Sequence, residues 1–263
     1  MKLVRFLREG KKGYGFIEEG VVYGLDDGAF FRAAEDKPAK DDLGFGIDEL
    51  KLLAPVMPSK IIALGLNYRA HAAEFNLAVP DEPLIFLKPS TSVAGPGDEI
   101  VYPSHMSRRV DYEGELAVVI ARTAKDVTAP EAHKYILGYT CFNDVTARDL
   151  QGSDGQWTRA KSFDTFSPLG PWIETTLNAS DVKIETFLNG ELRQSSRTTD
   201  MIFNVFEIIS FVSKVMTLLP GDVVATGTPP GVGRMKPGDS VAVSIEGIGS
   251  LENTVAAAAP SGG

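Results

Sequence analysis

Leu116-Ala117-Val118-Val119-Ile120 is a short, partly β-branched apolar run with no helical period, and it reads as a buried strand. Directly ahead of it stands Asp111-Tyr112-Glu113-Gly114-Glu115. Side chains on a strand alternate faces, so Glu113 and Glu115 point the same way, with Gly114 leaving room between them. Two such carboxylates repel each other and are costly to desolvate unless a cation sits between them. A chain with this pair must either leave it at a solvated acidic edge or fold further ligands around a metal. For an isolated Glu-x-Glu the acidic edge is the better reading; here the neighbouring segments lower it.

Tyr139 to Val145 has the make-up of a second buried strand, with Asp144 near its carboxyl end. Two adjacent strands would bring Glu113, Glu115 and Asp144 to one point. Three carboxylate ligands, with the remaining positions left to water and substrate, suit Mg²⁺ or Mn²⁺ better than zinc. Asp111 and Asp149 are rival ligands. Asp149 falls where a helix begins, and a first-turn acid is its better reading.

Of the three histidines, His133 reads as a solvated surface group and His105 as a loop residue without a role. His71 differs, because Asn67-Tyr68-Arg69-Ala70-His71-Ala72-Ala73-Glu74 follows directly on the apolar strand Lys60 to Gly65. At i, i+3 on a helical turn, His71 and Glu74 are within hydrogen-bonding reach. A carboxylate holding one imidazole nitrogen poises the other as a general base, although a helix-surface ion pair has the same spacing. Lys161, in an apolar, turn-rich stretch, is either a snorkelling surface residue or an anion-binding group. The Gly/Pro loop Thr226-Gly227-Thr228-Pro229-Pro230-Gly231-Val232-Gly233 is able to present backbone amides to a carboxylate. It lacks the closing Lys-Ser/Thr of a phosphate-binding loop.

Composition narrows the partners. The 263 residues carry a formal net charge of −9 without a Lys/Arg block, which argues against nucleic acid and anionic membranes. The single cysteine, Cys141, excludes a disulfide within the chain and a cysteine zinc site, and its apolar surroundings mark it as a core thiol. Met1 to Lys12 has no apolar stretch of signal-peptide type, and no run reaches membrane-spanning length. A cytoplasmic location is the resulting expectation.

Turn signals place a small β-rich domain over 1–57, with a helix or loop near Ile47 to Leu52, a larger domain over 58–256 and a flexible tail over 257–263. The larger part reads as mostly β with a few helices. One short helix is expected over Pro130 to Leu137, closed by Gly138. A longer one is expected over Val205 to Met216, with Asn204 and Glu207 in a capping box and Phe206, Ile209, Val212, Val215 and Met216 on its core face. Ser240 to Ser244 and Gly249 to Leu251 read as a closing hairpin.

Taken together and in order, Gly65-Leu66-Asn67-Tyr68 to Glu74, Asp111 to Glu115, Gly138 to Asp149, Arg159-Ala160-Lys161-Ser162, Leu219-Pro220-Gly221-Asp222 and Thr226 to Gly233 resemble the fumarylacetoacetate hydrolase family. The resemblance covers about Lys60 to Val255. It implies a mixed, β-rich fold, a roll or barrel-like sheet with flanking helices, usually in a homodimer. It implies that Glu113, Glu115 and Asp144 hold Mg²⁺ or Mn²⁺, that Lys161 is catalytic or orients substrate, and that His71 and Glu74 are the water-activating dyad of the shorter members. Arg148, Gln151 and Thr228 match positions that contact substrate. The longer members carry a further aspartate ligand where this chain has about Leu64, so the resemblance points to the smaller-substrate branch.

The expected activity is metal-dependent C–C hydrolysis of an acylpyruvate-type 2-oxo acid, a small anionic substrate of catabolism. Oxaloacetate decarboxylation, or a double-bond shift in a hydroxy-diene-dioate, would use the same site. A non-catalytic oxo-acid binder is the remoter alternative, because it needs neither Lys161 nor the His71 and Glu74 pair. Selectivity is expected in the loop from Phe75 to Asp81.

Overall fold

The computed structural model describes residues 1–34, 36, 38, 40, 44–74 and 76–258. Gly114–Ile120 is a strand buried at every position, which is why its apolar run is continuous and not alternating. It pairs antiparallel with Ile136–Asn143 on one side and with Val223–Ala225 on the other. Val223–Ala225 pairs parallel with Ile61–Gly65, which pairs with the edge strand Leu84–Lys88. In the other direction Ile136–Asn143 meets Ser167–Glu174, and that strand pairs with the amino-terminal strand Lys2–Arg8 through Lys2↔Glu174 and Leu3↔Ile173. The amino-terminal strands thus continue one twelve-stranded sheet.

A five-stranded sheet built from Lys183–Leu188, Glu191–Arg197, Ser240–Ile245, Gly249–Ala257 and Glu99–Tyr102 covers one face. There Leu116 and Val118 meet Ile184, Val243 and Leu251, together with Ile208, Ile209 and Val212 of the helix Val205–Val215. On the opposite face Ala117 and Val119 pack with Leu3, Phe16, Phe30 and Ile173. The chain is β-rich, 43% strand against 20% helix, with mixed sheets.

Several local expectations need correction. The segment from Pro130 to Leu137 is a 3-10 helix over Ala129–Tyr135, and Ile136 already belongs to the strand Ile136–Asn143. Gly138 does not close a helix: it lies mid-strand, where a Cβ would sit 2.5 Å from the Glu174 carbonyl oxygen. The helix Val205–Val215 is capped as expected, Asn204 Oδ1 accepting from Phe206 N and Glu207 N while Glu207 accepts from Asn204 N. Its buried stripe is Val205, Ile208, Ile209 and Val212, however, and Phe206 and Val215 are 41% and 54% exposed. The apolar arc of this helix is wider than its buried stripe, with Glu207 and Lys214 on the opposite side, so Phe206 and Val215 fall at the edges of the contact. A helix over Asp27–Arg32, capped by Asp26, was not anticipated, and Ile47–Glu49 is a 3-10 turn. The last strand runs through Ala257, paired with Tyr102; of the expected tail, 259–263 lie outside the described residues. Among the described residues no helix is long and apolar enough to cross a membrane.

Candidate active site

Strand register assembles the acidic cluster. Gly114 pairs with Asn143, so the residues just outside the pair, Glu113 and Asp144, become neighbours. Asp144 N donates to the Glu113 carbonyl at 2.8 Å, and Glu113 N donates to Asn143 Oδ1 at 3.0 Å. One oxygen from each of Glu113, Glu115 and Asp144 falls within 4.8 Å of the others, and all three residues are buried. Gly114 is required for a reason other than room between the glutamates: a Cβ there would lie 2.1 Å from Thr186 Oγ1. The rivals stand apart from the cluster. Asp111 accepts from Arg109 and Arg148, and Asp149 from Ser107 Oγ at 2.6 Å and Arg108 N at 2.8 Å.

Cations surround the carboxylates. Lys161, 2% exposed at the end of the helix Thr158–Lys161, donates to Glu113 Oε2 at 2.7 Å and Asp144 Oδ2 at 2.5 Å. It is therefore no snorkelling surface residue. Arg148 donates to Glu113 Oε1, to Asp111 Oδ2 at 3.0 Å and to Gln151 Oε1 at 2.6 Å. Lys88 donates to Asp144 Oδ1.

These contacts split the carboxylates electrostatically. Burial alone would raise Glu113, but Lys161 and Arg148 override it and hold its carboxyl well below the usual range. Glu115 goes the other way: burial, then the charges of Asp144 and Glu113, push it well up. Burial would lower Lys161, yet Asp144 and Glu113 keep its ammonium above the ordinary value. For Lys88 burial outweighs Asp144, and its value falls.

Glu115 tests whether a metal fits. Its Oε2 accepts from Gly227 N at 2.8 Å, whereas its Oε1 is buried without a hydrogen-bond partner. A buried carboxylate with an unpartnered oxygen, grouped with two further carboxylates, is an oxygen-donor set of the kind hard divalent cations take. Glu113, Glu115 and Asp144 thus fit a divalent metal.

The helix Arg69–Glu74 follows the strand Ile61–Gly65 and brings His71 Nδ1 to 3.1 Å from Glu74 Oε2. His71 is only 6% exposed, so the pair is not the helix-surface ion pair that shares its spacing. The Gly/Pro loop spends its amides differently from the expectation. Gly227 N holds Glu115, and Gly231 N donates to Glu74 Oε1 at 3.2 Å, so neither awaits a substrate carboxylate. Thr228 Oγ1 donates to the Gly114 carbonyl at 2.9 Å and accepts from Gln194 Nε2 at 2.8 Å.

A cavity of about 280 Å³ opens over the cluster. Its polar side is His71, Glu113, Arg148, Gln151, Lys161 and Thr228; its apolar side includes Leu64, Leu66, Leu77, Phe86 and Trp157. Six of the nine residues singled out from sequence therefore share one cavity, and the others sit just behind it: Glu115 and Asp144 in the acidic cluster, Glu74 on His71. Leu64 stands in the wall, where a hydrocarbon side chain offers no fourth ligand. Of the expected selectivity loop, Leu77 reaches the cavity and Phe75 lies outside the described residues. Sequence reasoning missed Lys88, Trp157 and Gln194. Lys88 carried a signal, a lysine ending the apolar strand Leu-Ile-Phe-Leu-Lys; Gln194, buried on the strand Glu191–Arg197, carried none.

The fumarylacetoacetate (FAA) hydrolase C-terminal family matches residues 60–256, three quarters of the chain and every residue named in the site. The chain belongs to the fumarylacetoacetate hydrolase family. An Rv2993c-like N-terminal family matches residues 1–55. An uncharacterized protein of Archaeoglobus fulgidus is 62% identical over 205 residues, 78% of this chain and 82% of that one. Oxaloacetate tautomerase YisK of Bacillus subtilis is 41% identical over 236 residues, 83% of this chain and 78% of that protein. The crystal structure of 5-carboxymethyl-2-hydroxymuconate delta-isomerase from Mycobacterium smegmatis superposes with a TM-score of 0.90 at 44% identity, covering 98% of this chain and 100% of that one. Members of this family are enzymes acting on small oxo acids; the chain shares their fold and carries a buried acidic triad able to bind a divalent metal.

Proposed function

We propose that the protein moves a proton on a short, anionic 2-oxo acid, interconverting the keto and enol forms of an oxaloacetate-type substrate. The observation that carries this reading is the placement of His71, held by Glu74, in one cavity with Lys161, Arg148 and the acidic cluster. Glu113, Glu115 and Asp144 would hold Mg²⁺ or Mn²⁺, which when bound supplies Lewis acidity toward the oxygens of a 2-oxo acid. Arg148 and Lys161 attract the anionic substrate and balance charge gathering on its oxygen. Gln151, anchored to Arg148, and Thr228, anchored to Gly114 and Gln194, orient it. His71 takes the C3 proton while Glu74 stabilises the imidazolium that forms; the C2 enolate oxygen takes up a proton from solvent to give the enol and His71 releases its own to solvent, and the reverse direction retraces these transfers. Returned to a different carbon, the proton on His71 produces the double-bond shift of an isomerase.

The kinship to an oxaloacetate tautomerase at 41% identity supports the choice of substrate. The test follows enol absorbance of oxaloacetate with purified protein and Mg²⁺ or Mn²⁺, together with pyruvate formation. Faster interconversion without pyruvate is expected, and an unchanged rate would count against the reading. Pyruvate released in step with oxaloacetate loss would make the enzyme a decarboxylase.

The apolar wall of Leu66, Leu77, Phe86 and Trp157 favours a second reading, hydrolysis of an acylpyruvate whose acyl group packs there. In that case His71 deprotonates a water for attack on the distal carbonyl, and acetylpyruvate yields acetate and pyruvate. We also propose a cytoplasmic homodimer. The exposed Leu84 and Leu87 of the edge strand Leu84–Lys88 support self-association, which light scattering would detect.

A further inference from the structure

Lys88 stands outside the cavity lining, yet it is the most enclosed cation near the acidic cluster, its side chain 0% exposed. An ammonium has three N–H donors, and here each has an acceptor: Asp144 Oδ1, the Phe166 carbonyl at 2.7 Å and the Val145 carbonyl at 3.3 Å. With all three engaged, Lys88 has no rotational freedom left to give. Asp144 Oδ1 is thereby committed to Lys88, and Oδ2 is the oxygen that meets Lys161, a cavity-lining residue, at 2.5 Å. The Val145 carbonyl belongs to the residue after Asp144, and the Phe166 carbonyl to the loop that follows Lys161. Lys88 thus clamps the ligand-bearing turn from behind while Lys161 meets the same carboxylate in front.

We propose that Lys88 is a positioning residue of the metal site, fixing which oxygen of Asp144 faces Glu113 and Glu115. The inference rests on the reading of Glu113, Glu115 and Asp144 as metal ligands. It has a consequence whose sign is opposite to simple electrostatics. A lysine near a cation site repels the cation, so replacing it with a neutral residue would tighten metal binding if charge were all that mattered. A group that orients a ligand does the reverse, its loss typically costing roughly 10–100-fold in metal affinity.

Calorimetric titration of the full chain with Mn²⁺ separates the two, comparing wild type with Lys88→Met, which keeps the volume and removes the donors. Binding weakened by roughly tenfold or more is expected. Equal or tighter binding in the variant overturns the inference while leaving the metal site standing. Wild-type protein that takes up no Mn²⁺ overturns the metal reading itself. Melting temperatures add a readout that a merely structural lysine would not move. Such a lysine would lower the metal-free value and leave the Mn²⁺-induced increment unchanged, whereas a positioning lysine shrinks the increment. Should Lys88→Met fail to fold, Lys88→Gln, neutral but still a donor, is titrated in its place; weaker binding than wild type supports the inference and equal or tighter binding overturns it.

Discussion

Glu115→Gln is the substitution that most directly tests the acidic cluster. Glu115 is fully buried, one oxygen accepts from Gly227 N, the other has no partner, and its carboxyl is pushed well above the usual range by burial and by Asp144 and Glu113. Glutamine keeps the shape and the acceptor for Gly227, and it turns the unpartnered oxygen into a donor toward those two carboxylates. Without metal, the variant should therefore be as stable as wild type or more stable, by up to about 1–3 kcal/mol, the cost of one unsatisfied buried polar group. With a divalent metal the order reverses. A site filled at about a hundred times its dissociation constant stabilises the folded state by about 2.7 kcal/mol. For a chain of this size that is a rise of roughly 5–11 °C in Tm. Wild type should show the rise with Mg²⁺ or Mn²⁺, and Glu115→Gln should lose most of it. Differential scanning fluorimetry with and without metal, after dialysis against chelator, reads both effects. A variant that melts well below wild type without metal, or keeps the full metal-induced rise, refutes the argument.

Three further outcomes are expected. His71→Asn should lower kcat by about 10²–10⁴-fold for proton transfer or hydrolysis, with metal-induced stabilisation intact, whereas a decarboxylation that needs no base should largely survive. Gly114→Ala should destabilise by about 1–3 kcal/mol, because its Cβ would meet Thr186 Oγ1 at 2.1 Å, and Thr186→Ala in the same chain should restore part of the loss in a urea melt. The two glutamates give opposite pH dependences in metal-free protein. Glu113, held low, contributes stability that is present above its ordinary value of 4.5 and lost as pH falls through the depressed one. Glu115, held high, contributes stability that is present below 4.5 and lost as pH rises through the raised value. Metal takes the place of that proton, so Mn²⁺ affinity measured by titration should rise with pH; affinity that falls over the same span would contradict the assignment.

The candidate residues of this site were legible because their types are costly anywhere else. Paired glutamates ahead of a continuous apolar strand, an aspartate ending a second such strand, and a histidine three residues before a glutamate each demand partners. Residue identity was enough to nominate them with alternatives open, and the order of the segments pointed to the family, whose resemblance implied the ligand set and the roles of Lys161, Arg148, Gln151 and Thr228. The β-rich class and the strand that carries Glu115 follow from the same local patterns, since periodicity and β-branching act over a few residues. Tertiary structure decided whatever depends on neighbours distant in sequence. From the wide apolar arc of one helix it buried Val205, Ile208, Ile209 and Val212 and left Phe206 and Val215 exposed. It spent the amides of Gly227 and Gly231 on Glu115 and Glu74, and it set Gly114 against Thr186. It also buried Lys88 behind Asp144, 56 residues away in the chain. No local pattern reports such contacts, because a buried charge is tolerated only where the fold delivers its counter-charge, and that pairing exists only once the sheet has closed.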